Sequence, residues 1–159
     1  MSAVISADGV YRYRLQRYFG VLDGALPLVF CMLNPSKADA EKDDPTIRRC
    51  IDYAKREHAQ GLLVINLYAY RATDPEKLWK AVNPIGPDNY IHLQQVGRLA
   101  GRIVCAWGTK AQPEVVNAAV GIFRSSGAEM LCLGTTKDGH PRHPLYVKKV
   151  QPLIPWSPR

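Results

Sequence analysis

Residues 28–36, with the sequence LVFCMLNPS, decide the fold class of this chain. The apolar run that opens this stretch predicts a strand buried on both faces, which is typical of a mainly parallel sheet covered by helices. Asn34 and Pro35 end the strand, because proline has no N–H group to donate to a sheet. Similar apolar runs follow at residues 62–67, 102–108 and 130–134, so the sequence predicts further core strands there.

Helix signals separate these predicted strands. Asp44-Pro45 and Asp74-Pro75 each place a capping carboxylate before a proline at the first helical position. Helices are predicted over residues 45–59, after residue 74, over residues 88–99 and over residues 112–125. Strands and helices therefore alternate, which predicts an α/β fold: a three-layer sandwich with a mainly parallel central sheet, in one domain spanning residues 1–159.

The regions outside these repeating elements carry weaker signals. Residues 10–15 alternate apolar or aromatic with basic side chains, which predicts an edge strand or the arm of a hairpin. Turn-forming residues around Asp23 and Gly24 predict a turn before the first core strand. The C-terminal tail is rich in proline and is predicted to be mainly loop.

Composition narrows the class of protein. The chain has 159 residues, a formal net charge of +7 and a pI of about 9.4, which favours a polyanionic partner such as nucleic acid. No secretion signal and no apolar run long enough for a bilayer is found, so we expect a cytoplasmic monomer without a membrane partner. The four cysteines form no Cys-x-x-Cys pair, and we predict reduced core cysteines with no bound metal or organic cofactor.

Polar or aromatic residues lie at, or just after, the carboxyl ends of the predicted core strands. They are Asn34, Asn66, Trp107-Gly108 and the segment from His140 to Leu145. Because the carboxyl ends of parallel strands meet at one edge of a sheet, these residues are predicted to share a cleft. The alternative is that each one only ends a strand or caps a helix.

In this order, the segments resemble motifs of the uracil-DNA glycosylase superfamily. Residues 28–36 are similar to the first motif of the mismatch-specific branch, in which Asn-Pro replaces the Asp-Pro of the classical branch. Residues 62–66 resemble the segment that carries a base-reading Asn, and residues 105–108 resemble a Trp-Gly at a strand end. Residues 140–147 resemble the late His-Pro motif and its inserting Leu. The chain also resembles a bacterial and phage family of unknown function.

The resemblance implies roles for individual residues. Asn34 would hold the attacking water, and His143 or His140 would bond the base oxygen on which negative charge develops. Asp44 either activates the water or only caps a helix. The predicted substrate-binding residues are Pro35, Ser36, Asn66, Tyr68, Trp107 and Gly108.

Two departures from the superfamily pattern concern the base pocket. The His-Pro loop has one extra residue, which leaves His140 and His143 as alternatives, and no Phe follows the first motif to stack on a flipped base. Tyr53, Tyr68 and Tyr70 are candidates to replace that ring.

Residues within and just after the His-Pro motif are predicted to contact DNA. Leu145 corresponds to the side chain that enters the duplex, and Arg142, Lys148 and Lys149 flank it where phosphate contacts would be needed. The alternative for these basic residues is a solvated tail.

The resulting hypothesis is a monofunctional DNA glycosylase that needs no cofactor and leaves an abasic site. Its substrate would be uracil or a mismatched, damaged or modified pyrimidine, including a modified cytosine of phage DNA, in DNA repair or phage defence. Two alternatives remain: a noncatalytic nucleic-acid-binding protein with the same fold, and a nucleotide- or nucleoside-binding hydrolase. The sequence contains neither a Gly-x-x-x-x-Gly-Lys loop nor a Gly-x-Gly-x-x-Gly fingerprint that would favour the latter.

Overall fold

A computed structural model describes residues 1–20 and 26–159, so the turn predicted at Asp23 and Gly24 lies outside the described residues. The strands in this part of the chain are β1 (Ser2–Ile5), β2 (Arg12–Tyr18), β3 (Leu28–Met32), β4 (Gly61–Asn66), β5 (Arg102–Cys105), β6 (Glu129–Cys132) and β7 (Ile154–Pro155). The helices are α1 (Pro45–Arg56), α2 (Pro75–Lys80), α3 (Asn89–Leu99) and α4 (Pro113–Ser125), and a short 3-10 helix covers Pro144–Tyr146.

The strands form a single sheet in the order β1-β2-β4-β3-β5-β6-β7. The four central strands β4, β3, β5 and β6 are parallel, while β2 and β7 join them antiparallel. Helix α1 packs its buried side chains against one face, and α2, α3 and α4 cover the other. The predicted three-layer α/β sandwich with a mainly parallel sheet is confirmed.

The two antiparallel edges differ from the prediction. β2 is a hairpin arm, as predicted, but it lies inside the sheet because β1 covers its outer side. β7 lies in the tail predicted to be loop, where Pro155 pairs with Leu131 of β6. Proline is tolerated there because an edge strand needs hydrogen bonds on only one side.

A β-bulge interrupts the pairing of β1 with β2. Val4 pairs with Arg14 and Ile5 pairs with Arg12, which leaves Tyr13 as an extra residue in β2. A bulge changes the face toward which the following side chains point. Arg14 donates a hydrogen bond to Gln95 of α3, whereas Arg12 donates to the carbonyl of Ala38, which belongs to the core on the α1 side.

The strand order reverses between the neighbouring strands β3 and β5. From β3 the chain moves outward to β4 on one side, and from β5 it moves outward to β6 on the other side. In open α/β sheets, the loops that leave two such neighbouring strands in opposite directions open a crevice at their carboxyl ends. Here that crevice lies between the residues that follow β3 and those that follow β5.

All four cysteines are free and buried, as predicted from the sequence. Burial raises the pKa of each thiol, because a thiolate is poorly solvated in the core. We therefore expect no reaction with a thiol reagent such as DTNB in the native protein at pH 8. Titration in denaturant should release four equivalents, and rapid labelling without denaturant would show that the core is open.

Candidate active site

The crevice between β3 and β5 holds a cavity of about 300 Å³, a size that accommodates a nucleobase. Six of the residues predicted to be functional line it: Asn34, Ser36, Asp44, Trp107, Gly108 and His143. They come from three separate parts of the sequence. The structure therefore brings together the ends of two core strands, the start of α1 and the C-terminal His-Pro segment.

Asn34 follows β3, and backbone carbonyls fix its side-chain amide. Its Nδ2 donates to the carbonyl oxygen of Ala72 at 2.8 Å and to that of Pro35 at 3.0 Å, with Tyr70 at 3.5 Å. Carbonyl oxygens accept hydrogen bonds only, so they identify the nitrogen of this amide. Oδ1 makes no hydrogen bond to the described residues, which leaves an oriented acceptor on a residue that lines the cavity.

Asp44 caps α1 and also lines the cavity. Its Oδ1 accepts the backbone N–H of Ile47 at 2.9 Å, as expected for a capping carboxylate. The other carboxylate oxygen has no hydrogen-bond partner in the part of the chain that the structure describes. The capping role is thus present, and one oxygen is left to act on a ligand.

The structure distinguishes the two candidate histidines. His143 lines the cavity, whereas His140 lies in a turn whose backbone bonds Thr136 and is not part of the cavity lining. His143 Nδ1 accepts the backbone N–H of Leu145 at 3.3 Å, so the proton of the neutral ring is on Nε2. Nε2 makes no hydrogen bond to any described residue and is available as a donor.

The His-Pro segment is attached to the end of β5. Gly108 donates its N–H to the carbonyl of Pro141 at 2.9 Å, and its φ of 75° is one that side chains rarely allow. Trp107 is 2% exposed and packs edge-to-face against Trp156 with ring centroids 5.2 Å apart. The hydrogen bond between Gly108 and Pro141 thus ties the segment that carries His143 to the end of β5.

Burial lowers the pKa of His143 below 6.5, although the nearby carboxylate of Asp44 opposes this shift. The neutral ring is therefore the form at pH 7. Protonation would place a second hydrogen on Nδ1, against the N–H of Leu145, and would break the cap of the 3-10 helix.

This geometry makes stability depend on pH. The folded protein binds the His143 proton less readily than the unfolded chain, so the contribution of His143 to folding is complete above about pH 6.5. We expect the free energy of unfolding to fall as the pH decreases below that value. Urea titrations across pH 5–7 should show a weaker decrease in His143→Gln than in the control His140→Gln. An identical pH dependence in both variants would contradict this assignment.

Three of the predicted substrate-binding residues do not line the cavity. Tyr68 is fully buried, packs edge-to-face against Trp79, and accepts the N–H of Gln112 through its hydroxyl, so it belongs to the core. Pro35 is buried, and its carbonyl binds Ala72. Asn66 is 1% exposed at the end of β4, and its Nδ2 has no hydrogen-bond partner among the described residues.

The predicted stacking residues also lie elsewhere. Tyr53 is buried and donates its hydroxyl hydrogen to the carbonyl of Lys148, and Tyr70 is half-buried beside Tyr11. Neither lines the cavity. Tyr146 does so instead: it is 80% exposed, and its ring centroid lies 5.5 Å from that of His143.

The predicted DNA-binding residues lie on the surface outside the cavity. Leu145 is 40% exposed on the 3-10 helix, next to Tyr146. Lys148 and Lys149 are exposed, and Lys149 is 3.8 Å from the carboxylate of Asp52. Arg142 is exposed, but its Nε donates to the carbonyl of Thr135. An apolar side chain with basic neighbours thus projects next to the cavity.

Several lining residues escaped the sequence analysis: Arg12, Thr46, Thr73, Thr109, Lys110 and Tyr146. Tyr146 lies inside the segment already singled out, so the sequence offered a signal for it. Arg12 offered none, because its position depends on the bulge in β2. Within the described residues, no group of three His, Cys, Asp or Glu side chains is arranged to hold a metal ion.

Comparison with known families assigns this chain. The profile of a family described as "Protein of unknown function (DUF1643)" matches residues 12–145, which include every residue predicted to be functional except Lys148 and Lys149. The chain belongs to this family of unknown function. No curated protein and no solved structure matched it. Among the described helices, none combines the length and apolar character that a bilayer span requires.

Proposed function

We propose that this DUF1643 protein is a monofunctional DNA glycosylase that hydrolyses the N-glycosyl bond of a flipped pyrimidine. One observation carries the proposal: Asn34 Oδ1, an acceptor, and His143 Nε2, a donor, have no hydrogen-bond partner within the described residues and belong to side chains that line the same cavity. Glycosyl hydrolysis needs such a pair, because positive charge develops on the sugar while negative charge develops on the base. The resemblance of residues 28–36 and 140–147 to glycosylase motifs supports the same reading.

The proposed reaction assigns each side chain one task. Asn34 Oδ1 accepts a hydrogen bond from a water, whose oxygen bonds to C1′ of the sugar as the C1′–N bond breaks. The electron pair of that bond leaves with the base. Asp44 accepts one proton of the water and passes it to the departing base. The sugar gains a hydroxyl, the base gains a hydrogen, and no other reactant is needed.

His143 stabilises the departing base. A neutral imidazole with its hydrogen on Nε2 donates to a base oxygen, where negative charge accumulates as the bond breaks. The N–H of Leu145 occupies Nδ1 and so maintains this tautomer. The ring is held before the substrate arrives, which is the condition under which such a donor is most effective.

The decisive experiment is a search for abasic sites in a panel of DNA substrates. The panel contains uracil, mismatched, damaged and hypermodified bases in single- and double-stranded DNA, and alkali converts abasic sites to strand breaks. Breaks in one substrate, absent with Asn34→Ala, would establish the glycosylase and name its base. Salt-sensitive DNA binding without breaks would favour a noncatalytic binder. Release of base from free nucleosides alone would favour a nucleoside hydrolase.

Leu145 is expected to matter for duplex DNA. Leu145→Ala removes an exposed apolar side chain beside the cavity, and a flipped base leaves a gap in the stack that such a side chain fills. We expect excision from duplex to fall about tenfold and excision from single strands to change little. Leu99→Ala, at the exposed end of α3, is the matched control. Equal losses on both kinds of DNA would show that Leu145 does not fill the gap left in the base stack.

A further inference from the structure

Arg12 is a buried cation without an ion-pair partner among the described residues. Its side chain is 2% exposed and lines the cavity. Nη1 donates to the carbonyl of Ala38 at 2.5 Å, but the buried Nε has no hydrogen-bond partner in the described part of the chain. Burying a charge without compensation is costly, so this arrangement needs an explanation.

Arg17, in the same strand, shows how this protein compensates a buried arginine. Its side chain is also 2% exposed, and its Nε binds the carboxylate of Asp43 at 2.7 Å. Two of its other nitrogens bind the carbonyls of Gln16 and Asp39. The fold therefore satisfies one of these arginines internally and leaves the other against the cavity.

Arg12 belongs to the buried part of the cavity lining. Met32, Ile47 and Trp107, which also line the cavity, are each at most 5% exposed, whereas Tyr146 is 80% exposed. The bulge at Tyr13 is what turns Arg12 toward the α1 side of the sheet. In a glycosylase, the part of the substrate that reaches deepest into the cavity is the flipped base.

The charged groups around Arg12 do not neutralise its guanidinium by a direct ion pair. Burial lowers the pKa of its guanidinium to about 10, so it remains a cation at neutral pH. The carboxylates of Asp44 and Asp39 favour the charged form, while Arg71 and Arg17 oppose it. Neither carboxylate lies within ion-pair distance of Arg12. The hydroxyl-bearing residues Ser36 and Thr46 line the same cavity and can add hydrogen bonds.

We propose that the base accepted by this cavity carries a carboxylate substituent, which pairs with Arg12. This inference rests on the proposed glycosylase function and narrows its substrate to acidic modified pyrimidines. A guanidinium matches the geometry of a carboxylate, because its parallel N–H groups bond the two oxygens together.

The test compares two free bases of nearly equal shape. Calorimetry measures the binding of 5-carboxyuracil and of uracil-5-carboxamide to the wild-type protein at pH 7. We expect the carboxylate to bind about tenfold to 100-fold more tightly, as for a charge-assisted pair. Arg12→Gln should abolish this preference, and Arg14→Gln, on the other side of the bulge, should retain it. Equal binding of the two bases to the wild type would overturn the proposal without any variant.

Further measurements distinguish a base substituent from a backbone phosphate as the anion. They also distinguish failure of this inference from failure of the proposed glycosylase function. Binding of inorganic phosphate and of an abasic oligonucleotide that depends on Arg12, without preference between the two bases, would assign Arg12 to the DNA backbone and overturn the inference. Excision of uracil with no preference for the carboxylate would leave the glycosylase and overturn the inference. An Arg12-dependent preference without abasic sites in any DNA would support the anion site and contradict the glycosylase.

Discussion

Asn34→Ala should lower excision of the preferred base by about 100- to 10,000-fold, the range typical of removing a group that positions a reacting water. The reason lies in the fixed orientation of the amide. Nδ2 is bound to the carbonyls of Ala72 and Pro35, so Oδ1 keeps a constant direction. Alanine removes this acceptor, and the water loses its orientation toward the sugar. The measurement is the single-turnover rate of abasic-site formation with saturating enzyme.

Two further variants make this result specific. Asn34→Asp places a carboxylate oxygen against the carbonyls that now accept from Nδ2, and their repulsion should lower the melting temperature. Asn117→Ala changes an exposed amide on α4 that does not line the cavity, and should leave the rate unchanged. Wild-type excision by Asn34→Ala, with normal folding, would remove Asn34 from the mechanism.

Local sequence signals predicted most of the architecture. The buried run at residues 28–32 and the paired Asp-Pro signals at α1 and α2 each depend on neighbours in the sequence, and these elements form where predicted. The strand β7 was missed because its formation depends on a partner in another part of the chain, whereas β1 was missed although its hairpin partner β2 is the next element in the sequence. Pro155 belongs to a strand only because β6 offers it an edge.

Local sequence signals likewise predicted one part of the candidate site and not the other. Asn34, Asp44 and His143 follow recognisable motifs, and the meeting of strand ends follows from a parallel sheet, so their convergence was predictable. Arg12 was not, because a single extra residue in β2 decides which face it takes. Tyr68 illustrates the opposite error: a strand-end tyrosine is as readily a core residue, and burial cannot be read from its position.

In the proposed site, some side chains are held by hydrogen bonds from the protein, and one side chain has a group without a hydrogen-bond partner among the described residues. The residues proposed to orient the water and to donate to the base have fixed neighbours, since Asn34 is bound by carbonyls and His143 by the N–H of Leu145. Arg12 Nε, in contrast, has no hydrogen-bond partner within the described residues. In this proposal, the groups that act on every substrate are held in advance, whereas the hydrogen bonding of the guanidinium that selects a substrate is completed only when that substrate binds.

His143→Ala should lower excision by about 100- to 1,000-fold, as for the loss of one donor to a developing anion. His140→Ala is the matched control in the same segment, because His140 does not line the cavity. His143→Gln tests whether the hydrogen-bond donor is what matters, because its side-chain amide can also donate to a base oxygen. This variant should recover part of the rate. A loss with His140→Ala equal to that with His143→Ala would mean that the segment acts through its fold. In that case Nε2 would not be the donor to the base.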